Sequence, residues 1–214
     1  MKFYLDTEHP VAKWSMDYIY PLGARQDCSI NLDFNKKVYG LYPGKTISVL
    51  DLGCAGGGMV HTFIMDGHIA VGLEGSDYDK KHKKFAWGMI PDNLFTCDCS
   101  RPFILHTGDG KPYQFDVITA WEFLEHIYTH DLPLLFMNIN NHLKPNGLFL
   151  GSTTNTDPAT KGVHHHVTRH GLDWWTNEFE EHYLTRDKHM EEHFKDSWVR
   201  SVNNNNFVCR GDLM

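Results

Sequence analysis

The stretch Trp121-Glu-Phe-Leu-Glu-His-Ile127 holds two carboxylates and an imidazole close together. It follows the apolar run Phe115-Asp-Val-Ile-Thr-Ala120, which reads as a buried strand. A helix beginning near Trp121 sets Glu122 and Glu125 three apart, and Glu122 and His126 four apart, on one face. Acids and an imidazole converging past a strand end suit general acid–base work or a divalent ion with open positions. The same residues also suit a solvated helix start. Further along, His164-His165-His166-Val167-Thr168 offers three more imidazoles inside the chain.

A second group of residues points to a nucleotide-like ligand. Val49-Leu-Asp-Leu-Gly-Cys-Ala-Gly-Gly-Gly58 ends an apolar run and leads into a segment that reads as a helix. Small residues at 53, 55 and 57 let backbone approach a ligand closely. Such a loop holds pyrophosphate in dinucleotide folds, but Asp51 at its start suits an amino group better. Glu74 follows the next apolar run, 21 residues after Gly53. That is near the roughly 20-residue spacing at which an acid receives ribose hydroxyls. Asp98 follows a third run, where a carboxylate accepts from an exocyclic adenine amine. A ligand with amino-acid, ribose and adenine parts fits all three acids.

These residues need an alternating scaffold. Thr46–Leu50, His68–Leu73, Asn93–Thr96, Phe115–Thr119 and Gly147–Leu150 read as strands. Helices are expected near Met59–Met65, over Tyr78–Gly88, and over Glu122–His142 with a bend at Pro133. Alternation of this kind predicts a parallel sheet covered on both faces. Residues 10–40 look helical and irregular, with a break at Pro21-Leu22-Gly23. In the tail, Gly171–Glu181 reads as a helix, and Asp196–Ser201 and Asn206–Arg210 as two last strands. Trp174, Trp175 and Phe179 belong to a core by default, with sugar stacking as the functional alternative.

The bulk numbers set limits. The chain has 214 residues, 41% hydrophobic and 22% charged, an ordinary globular balance. That length is enough for a single domain over 1–214: a helical, irregular start (1–45), an alternating core (46–154) and a tail of different pattern (155–214). No apolar run approaches the roughly 20 residues of a membrane helix, and the start carries no secretory pattern. Five scattered cysteines suit reduced thiols in a cytoplasmic protein. Cys97 and Cys99 have no second pair to complete a zinc site. The formal charge of −7 and the absence of a basic stripe speak against nucleic acid as a partner. The patch Lys80-Lys81-His82-Lys83-Lys84 reads as an exposed helix face.

Five segments, VLDLGCAGGG, VGLEGSD, TCDCSRPF, FDVITAWEFLEHI and LKPNGLFLGST, occur in this order over residues 46–154. Together they resemble the successive motifs of class I S-adenosylmethionine-dependent methyltransferases. The resemblance implies a doubly wound, mostly parallel seven-stranded α/β sheet with the last strand antiparallel. It implies that Asp51, Gly53, Cys54, Ala55 and Gly57 line the methionine and ribose portion. Glu74, followed by Gly75 and Ser76, holds the ribose hydroxyls, and Asp98 with the Cys99 backbone holds adenine. Trp121 lies beside the sulfonium, and Arg25 or Gln26, in a lid segment, touches the methionine carboxylate or the substrate. Ala55 stands where the family often has glycine.

The reaction class follows from what stands after the fourth strand. The Asn/Asp-Pro-Pro-aromatic tetrapeptide of amino-methylating enzymes is replaced by Thr119-Ala120-Trp121-Glu122. The Lys-Asp-Lys-Glu set of many RNA 2′-O-methyltransferases is not evident. Glu122-x-x-Glu125-His126 is instead similar to the ExxEH of magnesium-dependent O-methyltransferases, including those of ubiquinone synthesis and of small-RNA 3′ ends. In the latter a later histidine completes the site. By that resemblance Glu122, Glu125, His126 and His166 hold Mg²⁺ or Mn²⁺. Without a metal, His126 or one of His164–His166 is the general base, and the catalytic candidates are His126, His166, His165 and Glu125. His166-Val-Thr-Arg-His-Gly-Leu-Asp-Trp-Trp175 also resembles a loop that closes over the acceptor in other class I enzymes. The expectation is an O-methyltransferase acting on a hydroxyl of a sugar, glycan or other small molecule. An RNA 2′-O-methyltransferase and a non-catalytic binding protein are the alternatives.

Overall fold

The computed structural model describes residues 1–21, 25–157, 162–200 and 205–211. The chain opens with β1 (Tyr4–Thr7), α1 (Met16–Ile19) and α2 (Leu32–Leu41), and the alternation then begins. It runs β2 (Ser48–Leu52), α3 (Gly58–Met65), β3 (Ile69–Glu74), α4 (Tyr78–His82), β4 (Leu94–Thr96), β5 (Phe103–His106) and β6 (Phe115–Trp121). It ends with α5 (Leu132–His142), β7 (Leu143–Thr153), α6 (Leu172–Glu181), β8 (Leu184–Arg186), α7 (Lys188–Phe194) and β9 (Asn205–Gly211).

Seven strands form one sheet in the order β4-β3-β2-β6-β7-β9-β8. The first five run parallel, and β9 is antiparallel to both its neighbours. The mostly parallel sheet with an antiparallel last strand is therefore present. Strand residues alternate between two cores, as the period of two requires. Leu50, Ile118 and Phe149 pack with Leu135 and Phe136 of α5 and Phe179 of α6. Val49, Val117 and Leu150 pack with Phe34 of α2, Phe63 of α3 and Phe194 of α7. Each such burial contributes roughly 1.5–3 kcal/mol. Trp175 and Phe179 are fully buried, which settles them as core. Among the described residues no helix is long and apolar enough to cross a membrane.

Three expected elements differ. The helix over Glu122–His142 does not form as one piece. β6 continues to Trp121, which pairs with Ser152, and Glu122 takes a left-handed backbone with φ +49°. Short 3₁₀ turns at Leu124–His126 and Thr129–Asp131 follow, and α5 starts at Leu132. Pro133 lies in the first turn of α5, where its missing N–H has no partner to lose, so it begins the helix rather than bending it. The helix over Tyr78–Gly88 stops at His82, because Lys83 caps it in the left-handed conformation, and a 3₁₀ turn covers Phe85–Gly88. No strand forms over the described residues 196–200; Ser201 lies outside the described residues. Its place is taken by β8, three residues long and too short to show an alternation, and by α7. The β1–β5 antiparallel ribbon has no counterpart in the motif pattern.

Candidate active site

A cavity of about 300 Å³ opens at the carboxyl edge of the parallel strands, the low end for small-molecule sites. The turn after β2 forms its floor. Gly53 has φ +69°, and a Cβ there would lie 2.6 Å from the Phe123 ring, so backbone and packing both require glycine. Gly56 serves a different purpose. Its N–H donates to the Asp27 carbonyl at 2.9 Å, and a Cβ would lie 2.7 Å from that oxygen. The glycine loop thus admits the chain's own N-terminal segment and brings Asp27 to the cavity.

Glu74 ends β3 with its carboxylate at the cavity wall. Oε2 accepts from the Ala55 N–H at 2.9 Å and Oε1 from the Ser76 N–H at 3.0 Å. Burial outweighs those donors and raises its pKa to about 7. Further donors, such as a vicinal pair of hydroxyls, would relieve that cost. Asp51 accepts from Thr119 Oγ1 at 2.7 Å and is likewise pushed up to about 7 by burial. It lines a smaller pocket with Gly53, Cys54 and Arg200 rather than the main cavity. Asp98 is engaged on both oxygens. Oδ1 accepts from the Ser100 N–H at 3.1 Å and hydroxyl at 2.6 Å, and Oδ2 from Trp14 Nε1 at 2.6 Å. The N-terminal segment crosses here, since the Asp98 N–H donates to the His9 carbonyl.

At the other end stand the residues of the Glu-His stretch. Glu125 is fully buried; Oε1 accepts from the Thr154 N–H at 3.0 Å, while Oε2 has no hydrogen-bond partner among the described residues. Burial raises its pKa to about 7. The Glu125 carbonyl accepts from Val167 and Thr168 N–H, and Thr168 Oγ1 donates to the Ile127 carbonyl at 2.6 Å. Those bonds pin the histidine loop against the 3₁₀ turn. As a result one ligand atom each from Glu125, His126 and His166 lie within 4.8 Å of one another. His166 Nδ1 faces the Thr156 carbonyl, which can only accept, so the proton sits there and Nε2 keeps its lone pair. The donor set, one buried carboxylate oxygen without a partner and two imidazoles, fits a divalent first-row cation.

His126 Nδ1 is 2.7 Å from Asp17 Oδ2. At that distance the carboxylate and the imidazolium form a close charge pair. Glu122, raised by its left-handed backbone out of any shared helix face, lies apart from the three-residue cluster and faces Arg200, Oε2 to Nε 3.6 Å. The helical face proposed for Glu122, Glu125 and His126 does not exist; a 3₁₀ turn and a loop bring Glu125, His126 and His166 together instead.

Of the other expected site residues, Gly53, Ala55, Gly75, Cys99, Trp121 and His165 line the main cavity. His165 Nε2 donates to the Tyr20 carbonyl at 3.2 Å. His164 is exposed and paired with Asp157. Gly57 caps α3, and Ser76 acts through Glu74. Arg25 and Gln26 are exposed and line neither cavity; the Arg25 guanidinium sits 4.6 Å above the Tyr78 ring. Trp14, Asp17, Asp27, Asp157 and Arg200 line the cavity without having been expected there. Trp14 and Asp17 flank Ser15, a helix N-cap, the one local cue in that segment. Arg200 stands in no pattern at all.

A family model described as a methyltransferase domain matches residues 31–209. No curated protein matches the sequence. Among solved structures, the sugar N-methyltransferase KedS8 from Streptoalloteichus sp. is similar with TM-score 0.60 and 14% identity, over 98% of this chain and 96% of that one. A TehB-like SAM-dependent methyltransferase from Corynebacterium glutamicum gives 0.58 at 15% identity, over 90% and 93%. The O-methyltransferase of a trans-AT PKS multienzyme from Brevibacillus brevis, in complex with S-adenosyl-L-homocysteine, gives 0.53 at 21%, over 84% and 63%. At these identities the likeness is one of fold.

Proposed function

The chain belongs to the methyltransferase-domain family, and on that premise we propose that it transfers the methyl group of S-adenosylmethionine to a hydroxyl of a small polar acceptor such as a sugar or glycan. The whole of 1–214 acts as one domain in this reading, with the N-terminal segment as lid. The donor brings an already activated methyl, so the chain supplies orientation and a destination for the proton. Glu74 is suited to the ribose hydroxyls by its buried carboxylate at the cavity wall. Asp98 keeps acceptor capacity on Oδ2 for the adenine amine.

The observation that carries the O-methyl reading is the convergence of Glu125, His126 and His166 within 4.8 Å. A divalent cation held there would polarise the acceptor hydroxyl and lower its pKa. Without the cation, His166 is the group left to take the proton. Burial and the neighbouring His126 charge keep its pKa low, and Nε2 carries the lone pair. An RNA acceptor finds little support. Among the described residues six carboxylates line the cavity (Asp17, Asp27, Glu74, Asp98, Glu122 and Asp157) against one arginine, Arg200, and that balance repels a phosphate chain.

The lining favours a second reading as well. Asp17, Glu122 and Asp157 gather negative charge beside the imidazoles, which suits an acceptor that carries an amine. One experiment separates the readings: methyl transfer from labelled donor to matched hydroxyl and amine sugars, before and after EDTA. The O-methyl reading with a cation expects transfer to the hydroxyl set, loss with EDTA, and recovery with Mg²⁺ or Mn²⁺. Full activity after EDTA removes the cation and leaves His166 as base. Transfer to the amine set alone overturns the hydroxyl reading.

A further inference from the structure

An unexpected residue, Arg200, stands at the site. Asn206 pairs with Ser152 and Asn205 with Thr153, so the chain enters β9 at the carboxyl edge of β7. The cavity opens at that same edge, and Arg200 lines both it and the smaller pocket. It is the only lysine or arginine among the described residues that line either. Its guanidinium pairs with Asp27, Nη1 donates to Ser29 Oγ at 3.0 Å, and Nε stands 3.6 Å from Glu122 Oε2 without a hydrogen bond. Trp121 Nε1, from the same end of the cavity, is also a buried donor without an acceptor among the described residues.

The strand order gives this end a meaning. Asp98 after β4, Glu74 on β3, Gly53 after β2 and Trp121 on β6 follow one another across the sheet. A donor with adenine at Asp98 and ribose at Glu74 has its amino-acid end over β2 and β6. We propose that Arg200, with Asp27 and Glu122 on either side, is the clamp for the α-amino-acid end of the methyl donor. The guanidinium and Trp121 Nε1 receive the carboxylate, and the flanking acids receive the ammonium. An arginine between two acids is poorly suited to a simple anion, whose charge Asp27 and Glu122 would oppose. It is well suited to a zwitterion, which presents both signs at a short separation. The inference rests on the S-adenosylmethionine reading and adds to it a residue that neither the loop nor the strand-end acids indicate.

The test compares two ligands by calorimetry. S-adenosylhomocysteine has the amino-acid end; 5′-methylthioadenosine keeps adenine, ribose and thioether but lacks it. Wild-type protein should prefer the first by at least about 10-fold, and Arg200→Ala should weaken it by about 10- to 100-fold. Binding of 5′-methylthioadenosine should stay within about 2-fold, the discrimination a charge clamp makes. Equal loss on both ligands would reduce Arg200 to a brace of Asp27 and overturn the proposal. Should the alanine variant fail to fold, wild-type affinities alone decide: equal binding of the two ligands overturns the clamp. Wild-type protein that binds neither overturns the donor reading as well, and a preference that survives Arg200→Ala intact overturns the clamp alone.

Discussion

Oδ2 of Asp17, on the short helix α1, lies 2.7 Å from Nδ1 of His126, on the turn after β6. The pair ties the N-terminal segment across the cavity, and Tyr20 adds a second tie through His165. Burial alone would lower the His126 pKa; the Asp17, Glu125 and Glu74 carboxylates overcome it and hold the ring at about 9. In metal-free protein, Asp17→Asn should move the His126 titration midpoint down by at least about one unit, read by NMR of the imidazole. Exchange of amides in residues 12–20 should quicken in the same variant. Unchanged midpoints would show that Asp17 does not set this charge.

Asp51, Glu74 and Glu125 make folding stability depend on pH, and His126, held at about 9, acts in the same direction at the upper end. Burial raises the three carboxyls to about 7 in the folded protein, from ordinary values of 3.8 for the aspartate and 4.5 for the glutamates. The folded state then holds extra protons between the unfolded and folded values, so stability falls as pH rises through that interval and stays low above it. Each ionisation in place costs on the order of 3 kcal/mol. Asp116 and Asp187, whose pKa values are lowered, act in the more acid range and leave this window alone. Thermal melts of ligand-free protein should lose at least about 5 °C between pH 5.5 and 8.5. A Tm that rises over that span would contradict burial as the dominant influence on these carboxylates.

Gly56→Ala tests how the N-terminal segment is seated. The new Cβ would lie 2.7 Å from the Asp27 carbonyl and 2.8 Å from the Phe85 ring, and backbone cannot yield as a flexible side chain does. Overpacking of this kind costs about 1–3 kcal/mol, or roughly 2–10 °C in Tm for a chain of this size. Displacing Asp27 should also weaken S-adenosylhomocysteine several-fold. A variant with wild-type Tm and affinity would show that residues 27–28 are not held by this glycine.

Much of this was legible before folding. Glu74 and Asp98 each follow an apolar run directly, and parallel strands of a doubly wound sheet end on one edge, so their convergence needs only the alternation. The nearness of Glu125, His126 and His166 was also readable, but for the wrong reason. A helix face was expected, whereas Glu122 turns left-handed and a loop bonded to the Glu125 carbonyl supplies His166. Arg200 and Asp17 were not readable. Arg200 is held at the site by Asp27, 173 residues away in sequence, and Asp17 lies there because the segment before β2 folds back over it. Both placements follow from long-range pairing that leaves no local pattern.

A methyl-donor cavity anchored by Glu74 must bind the donor's product. Calorimetric titration of S-adenosylhomocysteine into wild-type protein and Glu74→Ala tests this most directly. Clear binding to the wild type is expected. The variant should lose about 10- to 100-fold in affinity, the range of a buried charge-assisted hydrogen bond. Absence of binding to folded wild-type protein, or equal affinity in Glu74→Ala, would contradict it.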